Sequence, residues 1–234
     1  MLYIVGTPIG NLKDITLRAL EVLRGVDFIL CEDTRVTQKL LDRYEIKTST
    51  LSYHQHSQLK KAEYVIQLLK DGKNLALVSD AGTPGISDPG NKLIAEITGV
   101  APLQIAGVAP LQITPIPGPS ALTAAASISG FSMDRFVFMG FPPAKNKRKK
   151  FFEEAVNSKY PVIFYESPYR ILKTLKELSS YTEELSSLKS SLKIVVCREL
   201  TKKFETIYRG TIEEVLEKLG REEIKGEFVV IIGK

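Results

Sequence analysis

The sequence predicts an α/β protein of two domains, and three observations carry that reading. Its 234 residues suit either one α/β domain or two small ones of about 115 residues each, enough to bury a core. Over the first 100 or so residues, short apolar β-type runs alternate with amphipathic helical stretches in four βα units, a pattern that argues for a parallel, doubly wound sheet. Loops rich in Gly and Pro follow several of these runs directly: GTPIGN at 6–11, VSDAGTPGISDPG at 78–90 and TPIPGPSA at 114–121. The expected division is an N-terminal α/β domain over residues 1–115 and a C-terminal α/β domain over 116–234.

Taken in order, Leu2 to Val5 reads as a strand that stops at Gly6. Asp14 or Thr16 can cap a helix over Leu17 to Leu23, which Gly25 ends, and Phe28 to Cys31 is a second strand. Glu32, Asp33 and Arg35 cluster at its carboxyl end. Part of that cluster is explained by Asp33 or Thr34 capping a helix that reaches Tyr44, and part is left over for a ligand, because open α/β sheets bind beyond strand carboxyl ends. Thr48 to Tyr53 is a third strand and Gln58 to Leu69 an amphipathic helix. His54 and His56 lie between them, and without a third nearby ligand a loop touching substrate is favoured over a metal site. Leu75 to Val78 is the fourth strand. Gly82, Pro84, Gly85, Pro89 and Gly90 then forbid regular structure until a helix starts at Asn91. Spacing alone leaves this loop open between a ligand turn and a plain connection.

Thr98 to Ile105, TGVAPLQI, is followed by a near copy, AGVAPLQI, at Ala106 to Ile113. Two copies are too few for a solenoid. The second copy is expected to lead into the strand at Pro115 and the first to protrude. Beyond the third Pro/Gly loop come a small-residue helix, LTAAASIS, and a strand at Phe136 to Met139. A helix around Phe151 to Val156 follows, then a strand at Pro161 to Tyr165 with Tyr169 and Arg170 in the first turn of the next helix. The remaining elements are strands at Lys193 to Cys197 and Phe204 to Arg209, a Thr211-capped helix over Ile212 to Leu219, and a final strand within Lys225 to Ile232.

Composition excludes several classes. Hydrophobic content of 44% and charged content of 25% are those of an ordinary globular chain. There is no apolar run of about 18 residues and no basic segment before the first apolar run, so a cytoplasmic protein is expected. Cys31 and Cys197 are too few for a disulfide framework or a four-ligand zinc site, and reduced, buried thiols are expected. The net charge of +5 is modest, but five of the six residues in KNKRKK, Lys145 to Lys150, are basic. Such a run either meets a polyanion or is a solvated helix start. Neither GxGxxG, GxxxxGK[ST] nor GxSxG is present. What remains is a site of Gly/Pro loops and carboxylates suited to a small, partly apolar cofactor held by backbone groups.

The motifs VGTPIGNLKDIT, CEDTR, SDAGTPGISDPG, PIPGPSA, GFPP, YESPYR, CRELTKKFE and GEFVVII occur in that order from Leu2 to about Ile232. Together they resemble the ribosomal RNA small subunit methyltransferase I family, a branch of the tetrapyrrole methylase superfamily. The tandem segment at 99–113 departs from the family's single connection. The resemblance implies a two-domain class III methyltransferase with a parallel-sheet N-terminal domain and a mixed-sheet C-terminal one, binding S-adenosylmethionine between them and working as a homodimer. The implied reaction is methylation of a cytidine ribose 2'-oxygen in small-subunit (16S) rRNA.

Carried over by motif, the cofactor residues are Thr7, Pro8, Gly10, Asp80, Gly82, Thr83, Ile86, Ser120, Ala121, Tyr165, Glu166, Leu200 and Phe228. Glu32, Asp33 and Glu199 are the candidates for the base that takes the hydroxyl proton, with Arg35 and Arg198 orienting phosphate or an oxyanion. In this setting Lys145, Lys147, Arg148, Lys149 and Lys150 are expected to grip the RNA backbone. A small-molecule methyltransferase of the tetrapyrrole type and a non-enzymatic RNA-binding factor are the competing readings, since fold does not fix substrate.

Overall fold

The computed structural model describes residues 1–53, 59–88, 90–99, 111–184 and 192–233. Two compact units divide at Ser120/Ala121. The expected boundary after residue 115 would fall inside a strand of the first unit, as its pairing shows. His54, His56 and the first copy of the tandem segment after Gly99 lie outside the described residues.

The first unit runs β1 (Leu2–Val5), α1 (Leu17–Gly25), β2 (Phe28–Cys31), α2 (Thr34–Arg43), β3 (Ser49–Ser52), α3 (Leu59–Lys70), β4 (Leu75–Leu77), α4 (Asn91–Thr98) and β5 (Ile113–Ile116). All five strands are parallel, in the order β3-β2-β4-β1-β5. Alternation along the strands sorts the core into two layers. Ile29, Cys31, Ala76 and Val78 pack with Leu20, Leu23, Leu40 and Leu41 of α1 and α2. Leu30, Leu75 and Leu77 face the other way, against Val65, Ile66, Leu93 and Ile97 of α3 and α4. The unit is therefore doubly wound, as the βα alternation predicts. Its caps are local: the Thr16 hydroxyl accepts from the Ala19 N–H at 3.1 Å, and the Asp33 carboxylate accepts from the Arg35 N–H at 2.8 Å. Among the described residues of the tandem segment, Ile113 at the end of the second copy enters the sheet, where it pairs with Leu2.

The second unit runs α5 (Ala121–Ile128), β6 (Val137–Phe138), α6 (Arg148–Asn157), β7 (Val162–Glu166), α7 (Ile171–Glu184), β8 (Ile194–Arg198), β9 (Thr206–Gly210), α8 (Ile212–Gly220) and β10 (Phe228–Ile232). Its sheet is mixed, ordered β6-β7-β10-β8-β9. The last strand in the chain is thus the central one, antiparallel to both β7 and β8. All five of its residues are buried, which accounts for its unbroken apolar character. One face packs Phe164, Val196, Phe228 and Val230 against α6, α7 and α8, and α5 packs on β10 and β7. A full capping box starts α8: Thr211 and Glu214 bond reciprocally to each other's backbone N–H groups.

Tyr169 and Arg170 do not start a helix. Ser167 to Arg170 forms a turn, closed by the Arg170 N–H to the Ser167 carbonyl at 3.1 Å, and α7 begins at Ile171. The residue before Pro168 is biased away from helical backbone, which delays the helix. Both cysteines are buried free thiols, and burial pushes Cys197 up to about 11.

Candidate active site

In the first unit, parallel pairing puts every strand's carboxyl end on one edge, and that edge collects the Gly/Pro loops. The loops after β4, β1 and β5, on neighbouring strands, are fastened to each other. Thr7 and Gly82 exchange backbone hydrogen bonds at 2.9 and 3.1 Å, and the Thr7 hydroxyl donates to the Ser79 carbonyl at 3.2 Å. The Thr83 hydroxyl reaches the Pro119 carbonyl at 3.3 Å. Gly6 and Gly118 lie backbone against backbone: a Cβ on Gly118 would stand 2.7 Å from the Gly6 oxygen. Only glycine fits there. Within the 78–90 loop the Asn91 amide holds the Gly85 carbonyl at 2.9 Å, while Gly90 takes the N-cap position of α4 without a side-chain hydrogen bond.

Asp80 is exposed, and its carboxylate accepts the Asp33 N–H at 3.1 Å, joining the β4 loop to the CEDTR segment 47 residues away. Glu32 is half-buried beside it in sequence. Asp33 is committed twice over. It caps α2, and Arg35 grips it through two hydrogen bonds, at 3.0 and 2.6 Å. The Arg35 side-chain and backbone hydrogen bonds hold the Asp33 carboxyl at about 2, well below its ordinary 3.8. A carboxylate so weakly basic is a poor proton acceptor, and Asp33 is therefore reassigned from base to cap. Arg35 is exposed and lines an open depression of about 480 Å³ with Thr34, Gln38, Lys39, Asp42 and Thr50.

In the second unit the register aligns Glu166, Phe228, Arg198 and Thr206 in one row. That row brings the turns of GFPP, YESPYR, CRELT and GEF to a single sheet edge. Several expected roles change there. Glu166 is 1% exposed. One of its oxygens accepts from the Ser167 N–H at 2.8 Å and pairs with Arg170 at 2.8 Å, and the other accepts from the Thr174 hydroxyl at 2.6 Å. Both oxygens are used, so the Glu166 carboxylate anchors the turn. Phe228 points into the core. Arg148 is buried at 7% exposure, bonded to Glu177 at 2.5 Å, Thr174 at 2.6 Å and the Pro143 carbonyl at 3.0 Å, with its guanidinium over the Phe152 ring. It cannot grip a polyanion from there. Lys145, Lys147, Lys149 and Lys150 remain exposed.

Glu199 and Arg198 are likewise occupied. Burial alone would raise the Glu199 carboxyl, but hydrogen bonds from Lys202 and the Glu227 N–H, with the charges of Lys202 and Arg198, hold it below its ordinary value. Arg198 spends its guanidinium on Glu222 at 3.0 Å and on the carbonyls of Lys225 and Glu223. Apart from Lys202, three residues on from Glu199, these partners lie 24 to 28 residues away, which is why the sequence reading missed them. It also missed Thr201, whose hydroxyl is buried with no hydrogen-bond partner among the described residues. Ser87, Glu199 and Thr201 have left-handed backbone, so three of the five non-glycine residues described with positive φ sit in the motif loops. Backbone of that kind clusters at functional sites. Leu200 is buried and Tyr165 half-buried at the same edge.

Residues 1–216 match the profile of the Tetrapyrrole (Corrin/Porphyrin) Methylases. Among curated relatives, proteins named ribosomal RNA small subunit methyltransferase I are similar over almost the whole chain. The one from Synechocystis sp. is 43% identical, over 99% of this chain and 78% of its own. That from Mycoplasmopsis pulmonis is 44% identical over 98% and 96%, and that from Thermotoga maritima 38% identical over 99% and 97%. A cobalt precorrin-4 methyltransferase of cobalamin biosynthesis shares the fold at a TM-score of 0.65 and 17% identity, over 99% of this chain and 94% of its own. Uroporphyrin-III-C-methyltransferase from Thermus thermophilus gives the same score and identity, over 100% and 94%. With its motif loops at the sheet edges and relatives matched from end to end, the chain belongs to the ribosomal RNA small subunit methyltransferase I family, within the tetrapyrrole methylases.

Proposed function

We propose that this chain methylates the ribose 2'-oxygen of a cytidine in small-subunit rRNA with S-adenosylmethionine as donor, acting in the cytoplasm as a homodimer. The observation that carries the reading is the similarity of 38–44% over nearly the full chain to proteins named for that RNA, against 17% for the tetrapyrrole enzymes. Among the described residues no helix is long and apolar enough to cross a membrane.

The first unit's edge fits the donor. Asp80 offers an exposed carboxylate to a cationic ligand and Ile86 an apolar side chain that is 42% exposed, while Gly82 and Gly85 adopt positive φ in the loop between them. In the first unit, Thr7, Pro8, Gly10, Asp80, Gly82, Thr83, Ile86 and Ser120 would hold S-adenosylmethionine. The donor supplies an electrophilic methyl carbon on a sulfonium, open to displacement by an oxygen nucleophile. The chain's task is to orient the ribose and remove its hydroxyl proton. Glu32, half-buried at the carboxyl end of β2, takes that role. Arg35, exposed at the same strand end, meets the RNA phosphate.

The lysines support a polyanionic substrate for a physical reason. α6 starts at Lys147 with no side-chain cap and no acidic residue in its first turn, and positive charges crowd its N-terminus. That arrangement opposes the helix dipole and is relieved by an anion. The test is methyl transfer from labelled S-adenosylmethionine to purified small subunits, naked rRNA and a porphyrin precursor. Label in an alkali-resistant dinucleotide of the rRNA is expected, since a 2'-O-methyl blocks strand cleavage. Label in the porphyrin alone would overturn the reading. Glu32→Gln should slow single-turnover methylation by about 100-fold or more with donor binding kept.

A further inference from the structure

We propose that Tyr169 and Phe141 form a stacking surface for an unpaired base of the RNA substrate. The inference rests on the RNA reading above and adds the place where a base is received. Tyr169 is 95% exposed and Phe141 51% exposed. Both rings stand in water although neither turn needs an aromatic residue. They occupy the turns after β6 and β7, parallel neighbours, and the two turns are tied directly: the Arg170 guanidinium donates to the Pro142 carbonyl at 2.9 Å. Phe141 is braced edge-on by Tyr165, with ring centres 5.4 Å apart, and Tyr165 in turn by Phe138 at 5.0 Å.

Ion pairs fasten the backbone of the two turns. Glu166 holds Arg170 and Thr174, Thr174 accepts from Arg148, and Arg148 takes the Pro143 carbonyl. Two arginines thus fix the two prolines that follow Phe141, and the same Arg148 opens α6, where Lys145, Lys147, Lys149 and Lys150 are exposed. Exposed rings on fastened turns, with exposed lysines directly following, are the combination that single-stranded nucleic acid requires: the rings receive bases, which all have π-faces, and the lysines receive phosphates. Charge favours RNA over an apolar protein partner as the occupant.

The experiment measures binding of the full chain to a short single-stranded RNA, and to the same sequence as a duplex, across a salt series. Tyr169→Ala should weaken single-strand binding roughly 5- to 150-fold and leave the salt slope unchanged. Tyr169→Phe should restore it. Replacing the four lysines by alanine should instead flatten the slope. In methylation assays Tyr169→Ala should raise KM for RNA and leave KM for S-adenosylmethionine unchanged. Because Tyr169 is exposed, its loss should not move the thermal midpoint, and Phe141→Ala serves as an independent probe. Unchanged single-strand affinity in both variants, equal losses on single strand and duplex, or a change of oligomeric state without loss of RNA affinity would each overturn the proposal. If the unaltered chain neither binds nor methylates small-subunit RNA, the functional reading fails. If it does both and Tyr169→Ala does too, only the stacking surface fails.

Discussion

At the carboxyl edge of the first sheet the loops hold one another mainly through the main chain, Thr7 to Gly82 and Gly6 against Gly118, with Asp80 and Ile86 left exposed. At the second unit's edge the turns are held by charged side chains: Arg148 and Glu166, both buried, form one network with the half-buried Arg170, and Glu199 and Lys202 form another with the exposed Glu227. The difference matches two kinds of ligand. Backbone loops that pack glycine to glycine suit a small molecule held by main-chain groups. Ion networks fasten turns whose exposed rings and lysines meet a large, flexible polyanion.

Breaking each construction should therefore cost differently. The largest effect is expected from Glu166→Ala, which takes the buried carboxylate away from Arg170 and Thr174 and leaves Arg148 with Glu177 as its one acidic partner. Removing one partner of a buried pair costs about 3–5 kcal/mol, read as earlier denaturant unfolding of the second unit. Arg148→Lys should rescue little, because an ammonium cannot serve Glu177, Thr174 and the Pro143 carbonyl in one plane. The next effect belongs to the first unit. Gly118→Ala pushes a methyl against the Gly6 backbone and should cost about 1–3 kcal/mol, with weaker S-adenosylmethionine binding in calorimetry. Were Gly118→Ala silent and Glu166→Ala damaging, the main-chain packing of the first edge would matter less than the contrast implies.

The smallest effect is expected from Asp33→Ala, and it carries a pH signature. The Asp33 carboxyl is lowered from 3.8 to about 2 in the folded chain, so its stabilisation is complete above the higher value and lost as pH falls through the lower. The difference in melting temperature between Asp33→Ala and the unaltered chain should be constant near neutrality and fade between pH 4 and pH 2. A difference that grew on acidification would sink the assignment.

Part of what the sequence reading missed was legible by periodicity. Arg148 stands three, four and seven residues before Phe151, Phe152 and Ala155, the buried stripe of α6, so helical spacing already puts it on the apolar face. Glu166 alternates with Val162 and Phe164, which face the core. Counting KNKRKK by charge alone hid the one member that turns inward.

The sequence by itself determined the βα order, the strand-end loops, the Thr211 cap and the family, and narrowed the caps of α1 and α2 to two candidates each. Those features follow from local backbone preference, side-chain spacing and the order of motifs. Tertiary structure decided which charges are spent. Asp80 meets Asp33, Arg198 meets Glu222, and Glu199 meets the Glu227 backbone across 24 to 47 residues of chain. Burial makes an unpaired charge costly, so each chooses the partner that folding brings close, and no local pattern encodes that proximity.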